Sequence, residues 1–269
     1  MIDVEIGRIQ SPDDHNTLDW LDTVTGYFEA LYHDLKTPMA ILFNQIQAME
    51  KIDDLPPTAI KHLADIKRSS FRMAKLVRDA NDRSRLNQGL LEARYVTTDA
   101  VALVRNICDS AQALMQAKAI KINFESAESS FKMAMDRQMW ERIILNLLAN
   151  CKDFSYQGGE ILVNIDIEGG DFVLSIRDYG LGISEEVISH VFSRHVGSTK
   201  RGLNSGLGLY IVKELVSLMN GEVQLIPTNP GTKVLIRVPI VQTEDEQEML
   251  MTIDDFFSDN MVQMELSNL

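Results

Sequence analysis

Residues 30–40 read ALYHDLKTPMA, a histidine beside an aspartate with a proline five positions further on. How that proline is read decides the first third of the fold. Upstream, Leu21, Val24, Phe28, Leu31 and Leu35 recur at gaps of 3, 4, 3 and 4, the seam of a heptad helix. Downstream the seam resumes as Met39, Leu42, Ile46 and Met49, so Pro38 reads as a bend inside one helix rather than its end. It removes the N–H that would bond the Asp34 carbonyl, which lets the helix give way just beneath His33. His33 itself lies two positions from both Leu31 and Leu35, about 200° around the helix from each, and is expected to face away from the seam.

Working outward, SPDDHNTLDW at 11–20 has the chemistry of a helix start. Ser11 is placed to cap, Pro12 sits in the first turn, and Asp13 and Asp14 face the positive helix end. DDLPP at 53–57 breaks the helix, and Thr58 is expected to cap a second one. The second helix would carry Leu63, Ile66, Met73, Val77 and Ala80 on its apolar face and run to near Asn87, Gln88 and Gly89. Two helices alone leave half of each seam uncovered, so dimerisation into a four-helix bundle is expected.

Beyond Gly89 helical and strand patterns mix. A capped helix follows TTD at 97–99, with short strands at IKINFE and FKMAM and a broad-faced helix over DRQMWERIILNLLANCKDF. EILVNIDIE and DFVLSIRDYG read as a hairpin turning at Gly169 and Gly170. After a glycine-rich segment, 180–208, a helix LYIVKELVSLMN ends at Gly221, and EVQLIP and KVLIRVPI close the domain. The predicted fold class is α+β and multidomain: a helical hairpin forming a dimeric four-helix bundle, then an α/β sandwich with a mixed sheet. Residues 1–13 are a short lead, 14–89 the hairpin, 90–240 the α/β domain and 241–269 an acidic tail.

Charge and composition exclude several functions. The net charge of -13 argues against a broad grip on nucleic acid, which needs clustered Lys and Arg. The tail holds eight acidic residues and no Lys or Arg, leaving -5 for the rest. It reads either as a solvated tail or, through Leu250, Ile253, Phe256, Phe257 and Val262, as a docking helix. Cys108 and Cys151 are too few for a disulfide framework. No apolar run reaches the roughly 18 residues of a membrane span, nor does the start resemble a signal peptide. A cytoplasmic protein with no membrane span is expected.

Four short motifs carry chemistry. Beside His33, Asp34 can fix the imidazole tautomer and leave the other ring nitrogen free to attack, although a lone histidine is more often a surface residue. NLLAN places Asn146 and Asn150 at i and i+4 on one helix face, where two amides can meet magnesium and phosphate oxygens, or simply solvent. DYGLGI, 178–183, puts a carboxylate at a strand end with glycines that admit close backbone approach, and taken alone is only a turn. SGLGLYIV, 205–212, is a glycine-rich helix entry suited to phosphate. Each signal is weak alone; their order along the chain is not.

In that order they resemble the transmitter region of sensor histidine kinases of two-component signalling. HDLKTP resembles the phosphoacceptor box, NLLANCKDFS the asparagine box, DYGLGI and SGLGLYIV the two glycine boxes, and VFSRHV stands where an aromatic box is expected. The glycine boxes are shared with the ATPases of gyrase, heat-shock chaperones and mismatch repair; the upstream histidine box is not. The resemblance implies ATP and Mg2+ as cofactors and His33 as acceptor of the γ-phosphoryl group. Asp34 would serve as base or orienter, and Thr37 would help align water for dephosphorylating a partner. Asn150 would bind magnesium and Asn146 the phosphate region. Asp178 would hold the adenine amino group, with Gly182 and Ile183 at the adenine wall, Thr232 as an anchor and Gly180 among the cofactor-binding residues. Gly206, Leu207 and Gly208 would offer amides to the phosphates under a lid, 184–205, bearing Thr199, Lys200 and Arg201.

The implied partners are a second copy through the hairpin, the receiver domain of a separate response regulator, and a separate sensor protein unless the natural protein extends upstream. Two residues depart from the pattern. Asp153 stands where a Lys or Arg is common, with Lys152 one place earlier, and a carboxylate there repels a triphosphate. His195 replaces the second aromatic of a Phe-x-x-Phe spacing that begins at Phe192. The rival reading is a kinase-fold adaptor that acts through partner binding with weak or no ATPase activity.

Overall fold

The computed structural model describes residues 30, 34–184, 188, 192 and 208–241. Residues 34–50 form the described part of α1 and Pro57–Asn87 form α2, the two limbs of the expected hairpin. Phe43 stacks on Phe71 with ring centroids 4.6 Å apart, and Lys67 pairs with Glu50 at 2.7 Å, which together set an antiparallel register. α2 starts two residues earlier than expected. Pro56 occupies the cap with no side-chain bond and Pro57 opens the first turn, where its missing N–H costs nothing; Thr58 is already inside the helix.

The seam is also redistributed. Met39, Phe43, Ile46, Leu63, Phe71 and Ala74 are buried between the limbs, whereas Ile66 and Met73 stay 47% and 46% exposed and Ala80 is exposed. Those three follow a heptad row that the single hairpin does not cover, and the intrachain contact runs through Phe71 and Ala74 instead. At the far end Gln88 caps α2, and Gly89, at φ 67, turns the chain so that Leu90 N–H bonds back to the Arg85 carbonyl.

The α/β domain contains β1 (Val96–Asp99), α3 (Ala100–Met115), a 3-10 turn (Gln116–Lys118), β2 (Lys121–Ser126), β3 (Lys132–Met135), α4 (Arg137–Phe154), β4 (Glu160–Glu168), β5 (Asp171–Asp178), α5 (Gly208–Leu218), β6 (Glu222–Pro227) and β7 (Thr232–Pro239). Asp99 caps α3 by accepting from Ala102 N–H, and Asp136 caps α4 by accepting from Met139 N–H. The main sheet has the order β2-β4-β5-β7-β6, with β2 parallel to β4 and every other pair antiparallel. It is therefore mixed, as expected. β1 and β3 pair separately.

One core fills the space between the sheet and α3, α4 and α5. Ile143, Ile144, Leu147 and Leu148 of α4 join Ile161, Val163, Phe172, Leu174 and Ile176 of the sheet in it, and Trp140 meets Phe172 edge to face at 5.1 Å. Alternation along β5 is lost because both faces of its middle are covered, with Phe172 to Ile176 all buried. Gly169 and Gly170 close the β4–β5 hairpin with φ 62 and 95, the two positive values a two-residue turn of this hand requires. The expected glycine stop of α5 is different in detail: Asn220 takes the left-handed position at φ 56. Gly221 is needed for closeness, since a Cβ there would lie 2.5 Å from the Arg237 carbonyl oxygen.

Candidate active site

The spine of the site is α4. Asn146, Asn150 and Asp153 fall at i, i+4 and i+7 and so share one face. Asn146 is 2% exposed; its Nδ2 donates to the Arg142 carbonyl at 3.0 Å, which fixes the amide and aims Oδ1 outward from the helix. A Cβ on Gly208, the first residue of α5, would lie 2.9 Å from that Oδ1. Any larger residue at 208 would therefore collide with the amide. Asn150 is half-buried, and its Nδ2 has no hydrogen-bond partner among the described residues. A buried amide donor left open costs about 1–3 kcal/mol, so the position suits a ligand that supplies an acceptor.

Two turns along α4 the helix meets the end of β5. Leu181 N–H bonds to the Phe154 carbonyl at 3.1 Å, and a Cβ on Gly180 would lie 2.2 Å from the same oxygen. Glycine is obligatory there. Asp178 is 6% exposed, accepts Gly180 N–H at 2.9 Å, and pairs across the sheet with Thr232. Burial raises its carboxyl above the ordinary range, partly opposed by the N–H groups of Gly180 and Thr232. Gly231, at φ 90, passes so close that a Cβ would lie 2.0 Å from the Asp178 carbonyl oxygen, and Gly182, at φ 71, approaches Gly231 in turn. Asp178, Gly180, Gly182, Gly231 and Thr232 thus form a side-chain-poor slot with one carboxylate, while half-buried Ile183 lies next to Gly182. Eight residues of α4 separate this pole from Asn146, about 12 Å at the helical rise.

The structure brings together Asn146, Gly208 and, through α4, Asn150 at one pole, and Asp178, Gly180, Gly182 and Thr232 at the other. Asp34 and Thr37 are exposed on α1. His33, His195, Thr199, Lys200, Arg201, Gly206 and Leu207, and with them most of the expected lid, lie outside the described residues. Asp153 is half-buried, and Lys152 beside it is 1% exposed, its ammonium pushed down to about 8 mainly by burial, with Lys118 and Lys75 adding to the shift against Asp153.

Sequence reasoning missed a contribution from the hairpin. Arg142, one turn before Asn146, is buried and pairs with Asp79 of α2 at 2.9 Å and with Asp82. On the next turn of both helices Lys75 Nζ donates to Asn146 Oδ1 at 3.4 Å. The readable signal was a charged residue on the same row as Asn146 and Asn150, facing two aspartates at i and i+3.

Comparison with known proteins agrees with this geometry. Residues 135–242 match the family of histidine kinase-, DNA gyrase B- and HSP90-like ATPases. The chain is 32% identical over 216 residues to the sensor histidine kinase YvrG of Bacillus subtilis (strain 168), covering 78% of this chain and 37% of YvrG. It is 28% identical over 217 residues to the sensor protein CreC of Escherichia coli (strain K12), covering 80% and 45%. Among solved structures, full-length ShkA in complex with AMPPNP superposes with a TM-score of 0.66 at 22% identity, over 82% of this chain and 47% of that one. The histidine kinase AdeS of Acinetobacter baumannii gives 0.54 at 20% identity, over 77% and 98%. These two likenesses establish the fold.

Fold and site define an ATP-binding α/β sandwich of the class shared by gyrase, chaperones and kinases. Within that class the chain is similar, over 78% of its length, to a two-component sensor histidine kinase. It spans less than half the length of the curated relatives it matches.

Proposed function

We propose that this chain is a histidine protein kinase that phosphorylates its own His33 from ATP and passes the phosphoryl group to an aspartate of a separate response regulator. Residues 14–89 would be the dimerisation and phosphotransfer hairpin, 90–240 the catalytic domain, and 1–13 and 241–269 its lead and acidic tail. The observation that carries the reading is the two-pole site along α4: an amide pole with the open Asn150 donor and a slot walled by Gly180 and Gly231 beside buried Asp178. An adenine ring fits a side-chain-free slot whose carboxylate accepts from an amino group, and a triphosphate fits amides and a helix entry.

In the reaction the lone pair of one His33 ring nitrogen attacks the γ-phosphorus. The N–P bond forms as the bond to the β,γ-bridging oxygen breaks, ADP leaves with that electron pair, and Asp34 takes the proton from the other ring nitrogen. The transition state is loose, so the protein acts by positioning and charge neutralisation. Asn150 would hold magnesium through Oδ1 and turn Nδ2 to a phosphate oxygen; when bound, the ion would neutralise phosphate charge. Asn146, Gly206, Leu207 and Gly208 would orient the phosphates, and Thr199 and Lys200 would close over them. Thr37 would align water for dephosphorylating the regulator.

A homodimer is the assembly the hairpin favours, because Ile41, Ile66, Met73 and Leu76 are exposed by 46–57% on a single chain. Among the described residues no helix is long and apolar enough to cross a membrane, and we place the catalytic region in the cytoplasm, where ATP is. The test is to incubate wild type and His33→Gln with labelled Mg-ATP and then add a panel of receiver domains. Acid-labile, base-stable label on wild type alone, passing to one receiver, is the expected result. A wild-type protein that takes no such label sinks the proposal.

A further inference from the structure

The C-terminal half of α4 offers the amide pole no exposed cation. Asp153 supplies a carboxylate where a cation is expected, and the nearest cation in sequence, Lys152, is wholly buried. The structure brings a cation from elsewhere. Lys75 of α2 donates to Asn146 Oδ1, and Asp79, one turn along the same helix, pairs with Arg142, one turn back on α4. Two rungs at i and i+4 on both helices thus join the hairpin to the spine of the site, with Asp82 reinforcing the second rung.

Resting on the kinase reading above, we propose that Lys75 is a phosphate-binding residue that the hairpin lends to the nucleotide site, and that the Arg142, Asp79 and Asp82 cluster seats it there. An ammonium has three donors, so Lys75 keeps its bond to Asn146 while giving another to a phosphate oxygen. Half-buried and flanked by buried side chains, such a charge pair is screened far less than one in bulk water. Nucleotide affinity would then depend on the hairpin and the ATP domain being docked, so that a signal moving one is felt in the other.

The test uses the full chain and two ligands that differ only in phosphate. ATP (with magnesium) and adenosine are titrated by NMR into wild type, Lys75→Met, Lys75→Arg and the Asp79→Asn, Asp82→Asn double variant. Lys75→Met is expected to weaken ATP about tenfold and leave adenosine unchanged, with Lys75→Arg restoring most of the loss. The double variant, with Lys75 intact but its seat removed, is expected to lose ATP affinity to a similar degree, its adenosine affinity reporting that the domain is folded. An ATP-to-adenosine affinity ratio in Lys75→Met equal to that of wild type overturns the role of Lys75 and leaves the kinase reading standing. A wild type that binds neither ligand overturns the kinase reading instead.

Discussion

Asp178 and Gly231 show how single positions shape the slot proposed to hold adenine. Asp178→Asn keeps the size and the acceptor for Gly180 N–H but removes the charge that strengthens any bond to a ligand amino group. ATP affinity is expected to fall about tenfold to hundredfold, a loss of roughly 1.5–3 kcal/mol, with the melting temperature little changed, and calorimetry with thermal melts checks both. Gly231→Ala has the opposite profile. At φ 90, with a Cβ forced to 2.0 Å from the Asp178 carbonyl, the strand must move, and about 2–4 kcal/mol of stability is expected to go in a denaturant titration. Gly158→Ala is the control: φ is 72 but nothing lies within 4 Å, so only the backbone penalty of about 1–2 kcal/mol applies. Asn150, Asp178 and Gly180 were legible in the sequence because their chemistry is local to one turn or one strand end. Lys75 and Arg142 were not, because their roles exist only once two elements far apart in sequence have docked.

At the scale of elements, α2 and α4 are joined by an ion cluster that is almost dry. The Arg142 side chain is 8% exposed, Asp79 1% and Asp82 12%. Arg142→Met leaves two carboxylates buried without their cation and is expected to destabilise the docked chain by about 3–5 kcal/mol in a denaturant titration. The triple variant Arg142→Met, Asp79→Leu, Asp82→Leu removes the charges together and should recover most of that loss. The helices and strands themselves were readable from periodicity, and all of the expected elements between residues 57 and 240 that fall within the described residues are present. What sequence periodicity misassigned was which apolar row each helix turns inward. Ile66 and Met73 share a heptad row with Leu63 by spacing, yet the aromatic stack of Phe43 on Phe71 rotates α2 so that Ala74 faces α1. Turn chemistry misled in the same way: Thr58 had the right side chain for a cap, but two prolines before it had already set the helix start.

For the molecule as a whole, its buried titratable groups set an expected stability maximum on the alkaline side. Burial pushes the Lys152 ammonium down to about 8 from the 10.5 of a free lysine, so from pH 8 upward the unfolded chain binds more protons and stability is expected to rise by up to about 1.4 kcal/mol per pH unit. The buried thiols act in reverse. Cys108 is raised to about 12 and Cys151 is raised too, both mainly by burial, so above the ordinary thiol value of 9.0 the unfolded chain loses protons that the folded one keeps. Two falling contributions then outweigh one rising one, and denaturant melts should peak near pH 9; Lys152→Met is expected to abolish the rise between pH 8 and 9. Assembly is a second whole-molecule property. If the proposed homodimer forms through this row, Ile66→Lys with Met73→Lys yields a monomer by light scattering without unfolding the α/β domain, since neither side chain is buried within one chain. The turn at Gly169 and Gly170 offers a way to watch all of this. Neither glycine has a neighbour within 4 Å of where a Cβ would sit, and the length of β5, about 25 Å, separates them from Asp178. That turn is a natural splice point: a dye, an epitope or a short foreign loop inserted there would leave the Asp178 end of the sheet untouched.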